Sequence, residues 1–298
     1  MPTLLSLGHG YSARRLARDL VAEGWRVIGT TRSPEKAEAL RAEGVEAMVW
    51  PGDRSGAAPA EAIRPALAAA SHLLISAGPD AEGDPALRAA GAEIAAAAGG
   101  LDWAGYLSTT GVYGDRGGDW IDETAERAPS TRRGAWRVAA EDAWLALHRD
   151  HGLPVHIFRL AGIYGPGRGP FEKVRQGTAR RIVKEGQVFS RIHVDDIAAV
   201  LRASMSRPAP GRAYNVCDDA PAPPQDVIAE AARLLGLPIP PEVAFEDAEM
   251  TPMARSFYSE SKRTSNARLH EELGVALRHP DYKAGLRALL AETPDGAD

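Results

Sequence analysis

The 298-residue sequence contains a single cysteine, Cys217, and no long run of apolar residues. One cysteine excludes an internal disulfide and a cysteine-based metal cluster, and it suits a reducing compartment. We interpret Cys217 as a packing residue and expect no metal site. The apolar run in MPTLLSLGHG is too short for a membrane span and lacks the basic start of a signal peptide. These absences predict a cytoplasmic protein without a membrane partner.

The sequence also lacks an excess of positive charge, because 40 acidic residues outnumber 35 lysines and arginines, for a net charge of −5. Binding to a phosphate backbone requires a basic surface, so no nucleic-acid partner is expected. Apolar residues at 44% and charged residues at 25% are typical of a folded domain. A chain of this size and composition is compatible with one large domain and a smaller lobe.

The first fifty residues alternate short apolar runs with helical periods, as a βαβαβ unit does. In the first predicted helix, apolar residues recur three and four positions apart and Gly24 supplies a stop. The second predicted helix has Ser33 as its N-cap and Pro34 at its first position. The predicted strands are TLLSLG, WRVIGTT and EAMVW.

The alternation continues through three more predicted strands, HLLIS, GYLSTT and VHIFRL. Six strands separated by helices indicate an α/β fold, with a doubly wound, Rossmann-type parallel sheet covered by helices on both faces. Beyond Gly165 the pattern loosens into glycine- and proline-containing segments, with a strand-like AYNVC and helices near residues 224 to 235 and 281 to 291. This part is predicted to form a smaller C-terminal α/β substrate lobe.

The predicted domain boundaries follow from this change of pattern. Residues 1–165 form the Rossmann-type domain, and residues 192–217 return to it. Residues 166–191 and 218–298 form the substrate-binding lobe.

The segment GHGYSA lies between the first predicted strand and the first predicted helix, where a dinucleotide-binding loop is expected. Gly8 permits the tight turn, and Gly10 lets the backbone approach a pyrophosphate. The free N–H groups of the helix N-terminus would then face the phosphates. Ala13 replaces the last glycine of the motif and still allows close packing of helix and strand. The other members of this predicted cofactor loop are His9, Tyr11 and Ser12.

The end of the second predicted strand bears on the choice of cofactor. An acidic residue there would accept hydrogen bonds from the adenosine ribose. The sequence instead has GTTRS, with Thr31 and Arg32. Because arginine can pair with a 2′-phosphate, we predict NADP as the cofactor, with NAD as the less favoured choice. The alternative is that Arg32 is a solvated loop residue.

Six short segments, taken in their order and spacing, indicate a protein family: GHGYSA, PGD at 51–53, STTGVYGD at 108–115, AGIYGPGR at 161–168, RIHVDDIA at 191–198 and YNVCDD at 214–219. Taken together they resemble the extended short-chain dehydrogenase/reductase superfamily, in its NAD-dependent epimerase/dehydratase group. The resemblance implies a lobe that closes over a small-molecule substrate, often a nucleotide-sugar, and a protein that is a monomer or a homodimer.

The resemblance also implies roles for individual residues. Asp53 would contact the adenine. Thr109 would carry the hydroxyl that hydrogen-bonds the reacting oxygen, although a threonine-rich strand end could equally reflect β propensity. The residues implied to line the nicotinamide side of the cofactor site are Ser76, Ala77, Gly78 and Ser108.

The segment STRRGAWRVAAEDAW departs from the family pattern. Family members carry Tyr-x-x-x-Lys on this helix, and here the frame falls on Arg133 and Arg137. The chain therefore resembles an atypical branch of the superfamily. A guanidinium group stays protonated, so Arg133 cannot replace the tyrosine as a proton donor, but it can stabilise an oxyanion or bind a substrate carboxylate or phosphate. Arg137 can donate to the ribose in place of the lysine.

The alternative interpretation places both arginines on an exposed helix face, with Arg137 paired to Glu141 four residues later. If the reaction needs a proton donor, Tyr164 and Tyr113 are the candidates near the family's active-site segments.

Further charged residues lie in the segments after the last predicted Rossmann strand. Arg168 and Arg191 could add positive charge to the substrate cleft or be solvated. His193 is a weaker candidate for proton transfer and is more typical of a structural residue. Asp195 and Asp196 are expected to cap the following helix and brace the lobe.

Two functions remain open from the sequence. The first is an NADP-dependent oxidoreductase or epimerase that acts on a small anionic or nucleotide-linked substrate. The alternative is a non-catalytic Rossmann protein that senses NADP or a metabolite. The intact glycine loop favours the first, and the missing tyrosine favours the second.

Overall fold

The computed structural model describes residues 1–50 and 60–292. In the described part of the chain the strands, in order, are β1 (Thr3–Leu7), β2 (Arg26–Thr31), β3 (Glu46–Val49), β4 (His72–Ile75), β5 (Trp103–Thr109), β6 (Trp120–Ile121), β7 (Val155–Leu160), β8 (Gly162–Tyr164), β9 (Arg181–Val183), β10 (Arg191–His193), β11 (Ala213–Val216), β12 (Glu242–Ala244) and β13 (Arg263–Thr264). The α-helices are α1 (Tyr11–Ala22), α2 (Pro34–Ala42), α3 (Arg64–Ala69), α4 (Pro85–Ala97), α5 (Arg132–His151), α6 (Phe171–Arg175), α7 (Val194–Ser206), α8 (Pro224–Leu234), α9 (Pro252–Phe257), α10 (Ala267–Glu271) and α11 (Tyr282–Glu292).

A seven-stranded sheet with the order β11-β7-β5-β4-β1-β2-β3 forms the centre of the molecule. All of its neighbouring strands are parallel. The predicted Rossmann-type parallel sheet is thus confirmed, and the strand-like AYNV segment supplies the seventh strand as β11. The strand order reverses between β1 and β4, and in such sheets ligands bind in the crevice at the carboxyl ends of the strands.

Helices cover both faces of the sheet, as the alternation predicted. On one face, α1 and α7 pack against β1, β5 and β7 through fully buried residues that include Leu16, Leu20 and Val200. On the other face, α4 and α5 contribute Ile94 and Trp144 to a second buried cluster. Each such aliphatic side chain contributes roughly 1.5 to 3 kcal/mol when it is fully buried. The two clusters fix the sheet and therefore fix the crevice at its edge.

A third cluster lies outside the sheet and joins α6, α8 and α11. It includes Tyr164, Phe171, Val227 and Leu286. Two short parallel pairs, β8 with β10 and β9 with β12, connect these helices. A further pair, β6 with β13, brings the segment around residue 263 towards the end of the sheet that carries the crevice.

The helix starts follow local sequence chemistry. The Ser33 side chain accepts a hydrogen bond from the Lys36 N–H, and Pro34 begins α2, which confirms both predictions. Asp84 accepts from two backbone N–H groups at the start of α4. Thr131 caps α5, the helix that carries the two arginines, by accepting from the Gly134 N–H at 3.1 Å. These caps set where each helix leaves its loop.

Cys217 is fully buried, and its Sγ donates to the carbonyl of Thr264 at 3.1 Å. Burial raises the pKa of the thiol well above its usual value. A buried, protonated thiol is unreactive, which agrees with its interpretation as a packing residue. No helix among residues 1–50 and 60–292 is both long and apolar enough to cross a membrane.

His156 in β7 gives the fold a specific sensitivity to acid. It is fully buried, its Nδ1 lies 3.0 Å from the Ala104 carbonyl, and its Nε2 accepts from the Ala209 N–H at 2.8 Å. Burial lowers the pKa of His156 to about 4. Because the unfolded chain binds this proton near pH 6.5, stability is lost as the pH falls from about 6.5 towards 4.

We expect this one group to lower the free energy of unfolding by about 2 kcal/mol between pH 7 and pH 5. Urea unfolding of wild type and His156→Gln at the two pH values measures the effect, since glutamine can donate and accept but does not titrate. His151→Gln, at an exposed position, is the control and should keep the wild-type pH dependence. Equal losses in wild type and His156→Gln would contradict the assignment.

Candidate active site

A cleft of about 1260 Å³ opens at the carboxyl ends of β1, β4, β5 and β7. Its wall includes the glycine loop, the first turn of α5 and a segment near residue 260. Of the residues predicted for the site, the structure brings to this wall Gly10, Tyr11, Ser12, Ser76, Gly78, Ser108, Thr109, Arg133, Arg137 and Tyr164. Residues far apart in the chain therefore meet at one cavity.

Gly8 is held in a turn that requires glycine. Its φ is +81°, and a Cβ at this position would lie 2.7 Å from the backbone nitrogen of Ala77. The Gly8 N–H donates to Thr30 Oγ1 at 2.9 Å, and its carbonyl accepts from Ser76 Oγ at 2.7 Å. The loops after β1 and β4 are thus in backbone contact, with no space for a side chain between them.

The N-terminus of α1 is free to bind an anion. Gly10 is its N-cap and supplies no side-chain cap, and the first turn has no acidic residue. A Cβ built on Gly10 would meet nothing nearer than 3.9 Å, so the space above it is open. Ser12 and Ala13 are buried and let the helix lie close to the sheet. Uncapped N–H groups beside an open space fit the pyrophosphate of a dinucleotide.

His9 contributes its backbone to the glycine loop, while its side chain is buried in the protein interior. The ring lies against Gly29 of β2, where a Cβ would come within 2.8 Å of it. Neither ring nitrogen has a hydrogen-bond partner within the described ranges. Burial lowers the pKa of His9 to about 4, so the ring is neutral at neutral pH.

The end of β2 is polar and open. Thr31 Oγ1 accepts from the Ser33 N–H at 3.4 Å, and Arg32 is exposed. Arg32 is not among the described residues that line the cleft. Asp53, implied to meet the adenine, lies outside the described residues.

The two neighbouring hydroxyl groups at the end of β5 have different surroundings. Thr109 lines the cleft, and its Oγ1 accepts from the Gly111 N–H at 3.1 Å, which leaves its own proton available. Ser108 is buried, and its hydroxyl donates to Glu141 at 2.6 Å. Of the two, Thr109 is the hydroxyl that is free to donate to a ligand.

Arg137 is anchored at the cleft wall. Its Nη1 donates to the Leu107 carbonyl at 2.5 Å and to the Tyr106 hydroxyl at 3.1 Å. A Cβ on Gly78 would lie 3.2 Å from its Nη2, so the guanidinium borders the loop after β4. The alternative pairing of Arg137 with Glu141 is wrong. Arg137 points across the end of β5 and not along its own helix.

Glu141 is instead fully buried among other partners. Its carboxylate accepts from Arg159 Nη2 at 2.9 Å and from Arg127 Nη1 at 3.2 Å, in addition to Ser108. The interpretation of Glu141 as part of an exposed helix face is therefore wrong, because this face of α5 packs on β5 and β7. The network fixes α5 against the strand that carries Thr109.

Arg133 is exposed at the start of α5 and lines the cleft. Within the described part of the chain its guanidinium forms no salt bridge, so the alternative of a surface ion pair at Arg133 is not seen. A free guanidinium at a cleft wall can bind an anionic group of a ligand.

The two candidate tyrosines have their hydroxyl groups in the protein interior. The Tyr113 hydroxyl donates to Asn215 Oδ1 and accepts from Arg159 Nη1, each at 2.7 Å, and burial raises the pKa of Tyr113 to about 12. Tyr164 lines the cleft with its ring, but its hydroxyl lies against Gly285 of α11 and is buried. Burial raises the pKa of Tyr164 as well. Neither hydroxyl is placed to exchange a proton with a ligand in the cleft.

The segment HVDD braces α7 and the C-terminal segment. His193 is itself the cap of α7, since its Nδ1 accepts from the Asp195 N–H at 3.2 Å, which corrects the expectation that the aspartates cap the helix. Asp196 accepts from the N–H groups of Arg278 and His279 at 2.7 and 3.1 Å. The expected bracing role is thus confirmed for Asp196.

Asp195 links this segment to the Rossmann domain. It forms an ion pair with Arg15 of α1 and lies 3.7 Å from His279. The nearby His279 ring and the Arg15 guanidinium hold the pKa of Asp195 well below its usual range. Ligand-type atoms of His193, Asp195 and His279 lie within 4.8 Å of one another, but Arg15 supplies the positive charge that Asp195 needs.

Arg168 and Arg191 both border the cleft, as the sequence suggested. The Arg168 guanidinium lies 5.8 Å above the Tyr11 ring. Arg191 donates to the carbonyls of Phe189 and Ala222 at 3.0 and 2.9 Å, and burial lowers the pKa of Arg191. Both add positive charge to the cleft, and Arg168 does so beside Tyr11 of the glycine loop.

The sequence analysis missed Lys262 and Glu260, which line the same cleft. Lys262 Nζ donates to the Gly114 carbonyl at 2.7 Å and to Glu260 Oε2 at 2.6 Å. Glu260 also accepts from Ser130 Oγ, directly before the cap of α5. In the sequence SESKRTS these residues are typical of a polar surface loop, and no local pattern distinguishes them.

Comparison with known proteins agrees with this geometry. Residues 7–217 match the model of the NAD dependent epimerase/dehydratase family. The chain is 30% identical to Protein YeeZ of Escherichia coli K12 over 288 residues, which cover 94% of this chain and 97% of YeeZ. A functionally unknown conserved protein from Silicibacter pomeroyi has a similar structure, with a TM-score of 0.91 and 58% identity over 98% of this chain and 99% of that chain.

A more distant likeness extends to an enzyme with known ligands. UDP-glucuronic acid 4-epimerase from Bacillus cereus, in complex with UDP-glucuronic acid and NAD, has a TM-score of 0.73 at 15% identity, covering 98% of each chain. At this identity the likeness shows the fold alone. From the match of residues 7–217 and the relationship to YeeZ, the chain belongs to the NAD-dependent epimerase/dehydratase family.

Proposed function

We propose that the protein is a nicotinamide-dinucleotide-dependent oxidoreductase or epimerase that acts on a small anionic or nucleotide-linked substrate. The observation that carries this proposal is the uncapped N-terminus of α1, which opens into the same cleft as Thr109 and Arg137. A dinucleotide bound at α1 would extend along this wall towards Thr109.

The residues of the cleft have distinct proposed roles. The Thr109 hydroxyl, free to donate, binds the reacting oxygen, and Arg133 stabilises negative charge on that oxygen or binds an acidic group of the substrate. Arg137, held by the Leu107 carbonyl, orients the ribose beside the nicotinamide. The bound cofactor supplies the hydride chemistry. Tyr164 packs in the lobe and takes no part in proton transfer.

The charge of the cleft supports an anionic substrate. Arg133, Arg168 and Arg191 line it in a protein of net charge −5. The Bacillus cereus epimerase binds UDP-glucuronic acid, whose diphosphate and carboxylate would suit these groups. We propose that residues 166–191 and 218–298 form a lobe that closes over such a substrate, in a cytoplasmic monomer or homodimer.

The test combines cofactor calorimetry with a substrate panel. UDP-glucose, UDP-glucuronic acid, aldehydes and ketones are incubated with the protein and either dinucleotide. Redox turnover is followed by nicotinamide absorbance, and epimerisation by separation of the products. Turnover that Thr109→Ala abolishes supports the enzyme. Tight cofactor binding without turnover of any panel member supports the sensor alternative, which the missing tyrosine favours.

The choice between the two dinucleotides is a separate prediction. The family and the Bacillus cereus epimerase indicate NAD, whereas the end of β2 has Arg32 where a carboxylate would exclude NADP. If Arg32 binds the 2′-phosphate, Arg32→Ala should weaken NADP binding about tenfold and leave NAD binding unchanged. Calorimetry with both cofactors measures this, with the exposed Arg149→Ala as control. A wild-type preference for NAD would show that the NADP prediction is wrong.

A further inference from the structure

The cleft contains few groups that can exchange a proton. Among the described residues that line it, the ionisable side chains are five arginines, two tyrosines, Glu260 and Lys262. Guanidinium groups stay protonated. The Tyr164 hydroxyl is buried against Gly285, and the Tyr11 hydroxyl donates to the Pro166 carbonyl at 3.0 Å. The amine of Lys262 and the carboxylate of Glu260 are therefore the remaining candidates for proton exchange in the cleft.

Lys262 is held by contacts to the segments that carry Thr109 and Arg133. Its Nζ is held by the carbonyl of Gly114, which ends the turn that begins at Thr110 after Thr109. Its partner Glu260 is held by Ser130, three residues before Arg133. Lys262 is only 8% exposed, yet it forms part of the cleft wall. Two hydrogen bonds therefore hold Lys262 Nζ at the cleft wall.

We propose that Lys262 is the proton donor and acceptor of the reaction, in place of the tyrosine that this chain lacks. This assignment rests on the proposed function. In reduction, a bound dihydronicotinamide would supply a hydride to the carbonyl carbon, and the C=O π electrons would move to the oxygen. That oxygen takes a proton from the Lys262 ammonium, which becomes a neutral amine and regains a proton from water. Oxidation of the alcohol follows the same steps in reverse.

Glu260 is a positioning residue in this scheme. Its carboxylate lies 2.6 Å from Nζ and accepts its hydrogen bond, which holds the amine at the cleft wall. Glu260→Ala removes this acceptor and should lower kcat about tenfold with dinucleotide affinity unchanged. Glu260→Gln keeps an oxygen that can accept from Nζ and should recover most of the lost kcat. A purely structural role for Glu260 would lower stability without this recovery of kcat.

The Lys262→Arg variant distinguishes a role of Lys262 in proton transfer from a role as a positive charge alone. Arginine keeps the charge and can still donate to the Gly114 carbonyl, but it does not release a proton at ordinary pH. We expect Lys262→Arg and Lys262→Met to lower kcat at least 100-fold, with dinucleotide affinity unchanged. Lys173→Arg, at an exposed position on α6, is the matched control and should retain wild-type kcat.

For each variant, thermal unfolding is measured together with turnover on the panel of nucleotide-sugars and carbonyl compounds. The outcomes distinguish a failure of this assignment from a failure of the proposed function. Wild-type kcat in Lys262→Arg would overturn the assignment and leave the proposed function intact. A wild type that binds the dinucleotide but turns over no panel member would overturn the proposed function, and this assignment with it. If both Lys262 variants fail to fold, Glu260→Ala decides, and wild-type kcat in the folded Glu260→Ala variant overturns the assignment.

Discussion

Glu141→Ala is expected to lower the free energy of unfolding by about 3 to 5 kcal/mol. Glu141 is fully buried, and Arg159 is only 5% exposed. Removal of the carboxylate leaves the Arg159 guanidinium buried without its counter-ion and leaves the Ser108 hydroxyl without an acceptor. The remaining Arg159 hydrogen bonds, to the Tyr113 hydroxyl and the Glu123 carbonyl, have uncharged acceptors. The cost is therefore that of an unpaired buried charge, not that of one hydrogen bond.

Urea unfolding measures this effect, and Glu46→Ala is the matched control. Glu46 also accepts two hydrogen bonds from an arginine, Arg26, but on the exposed surface. Its removal should cost less than about 1 kcal/mol. The double variant Glu141→Leu with Arg159→Met should be more stable than Glu141→Ala, because no charge is left unpaired. A loss at Glu141 no larger than at Glu46 would contradict the assigned network.

Gly8→Ala is expected to weaken dinucleotide binding at least 100-fold, or about 2.8 kcal/mol. The added Cβ would lie 2.7 Å from the Ala77 nitrogen, and backbone on both sides cannot yield as a flexible side chain can. The loops after β1 and β4 must separate, which displaces the N-terminus of α1 from the cleft wall. Calorimetry with NAD and NADP measures the loss.

Gly24→Ala is the control for this variant. Gly24 has φ +82°, almost the same as Gly8, but a Cβ there would meet nothing within 4 Å. Placing alanine at a positive φ should lower the free energy of unfolding by a similar amount in the two variants, about 1 kcal/mol. Only Gly8→Ala should lose the cofactor. Equal affinities in the two variants would contradict the assignment of the Gly8 turn to the cofactor site.

The local chemistry of the chain was sufficient to predict the elements that form the sheet. The strand-loop-helix order around Gly8, the cap at Ser33 and the stop at Gly24 each depend on residues that are neighbours in sequence. The predicted glycine loop, the parallel sheet and the helices on both faces were confirmed for this reason. Thr109, Arg133 and Arg137, which were predicted from motifs of fixed spacing, line one cleft in the structure.

The partners of individual side chains could not be predicted in the same way. The spacing of Arg137 and Glu141 is that of a surface pair, but α5 is rotated so that Glu141 packs on β5 and β7. There it meets Arg159, which is 18 residues further along the chain. The position of Tyr164 in a family segment makes it a candidate proton donor by sequence, but its hydroxyl packs against Gly285 of α11.

The sequence by itself determined that this chain forms a Rossmann-type sheet with a glycine-rich loop after β1 and has no tyrosine between Tyr113 and Tyr164, since each of these depends on local pattern. Only the tertiary structure decided which charged groups face the cleft. Lys262 reaches the Gly114 carbonyl across 148 residues of chain because β13 pairs with β6. Lys262, which we propose as the proton donor in place of a tyrosine, is thus positioned by long-range strand pairing. The local sequence around Lys262 does not reveal this pairing.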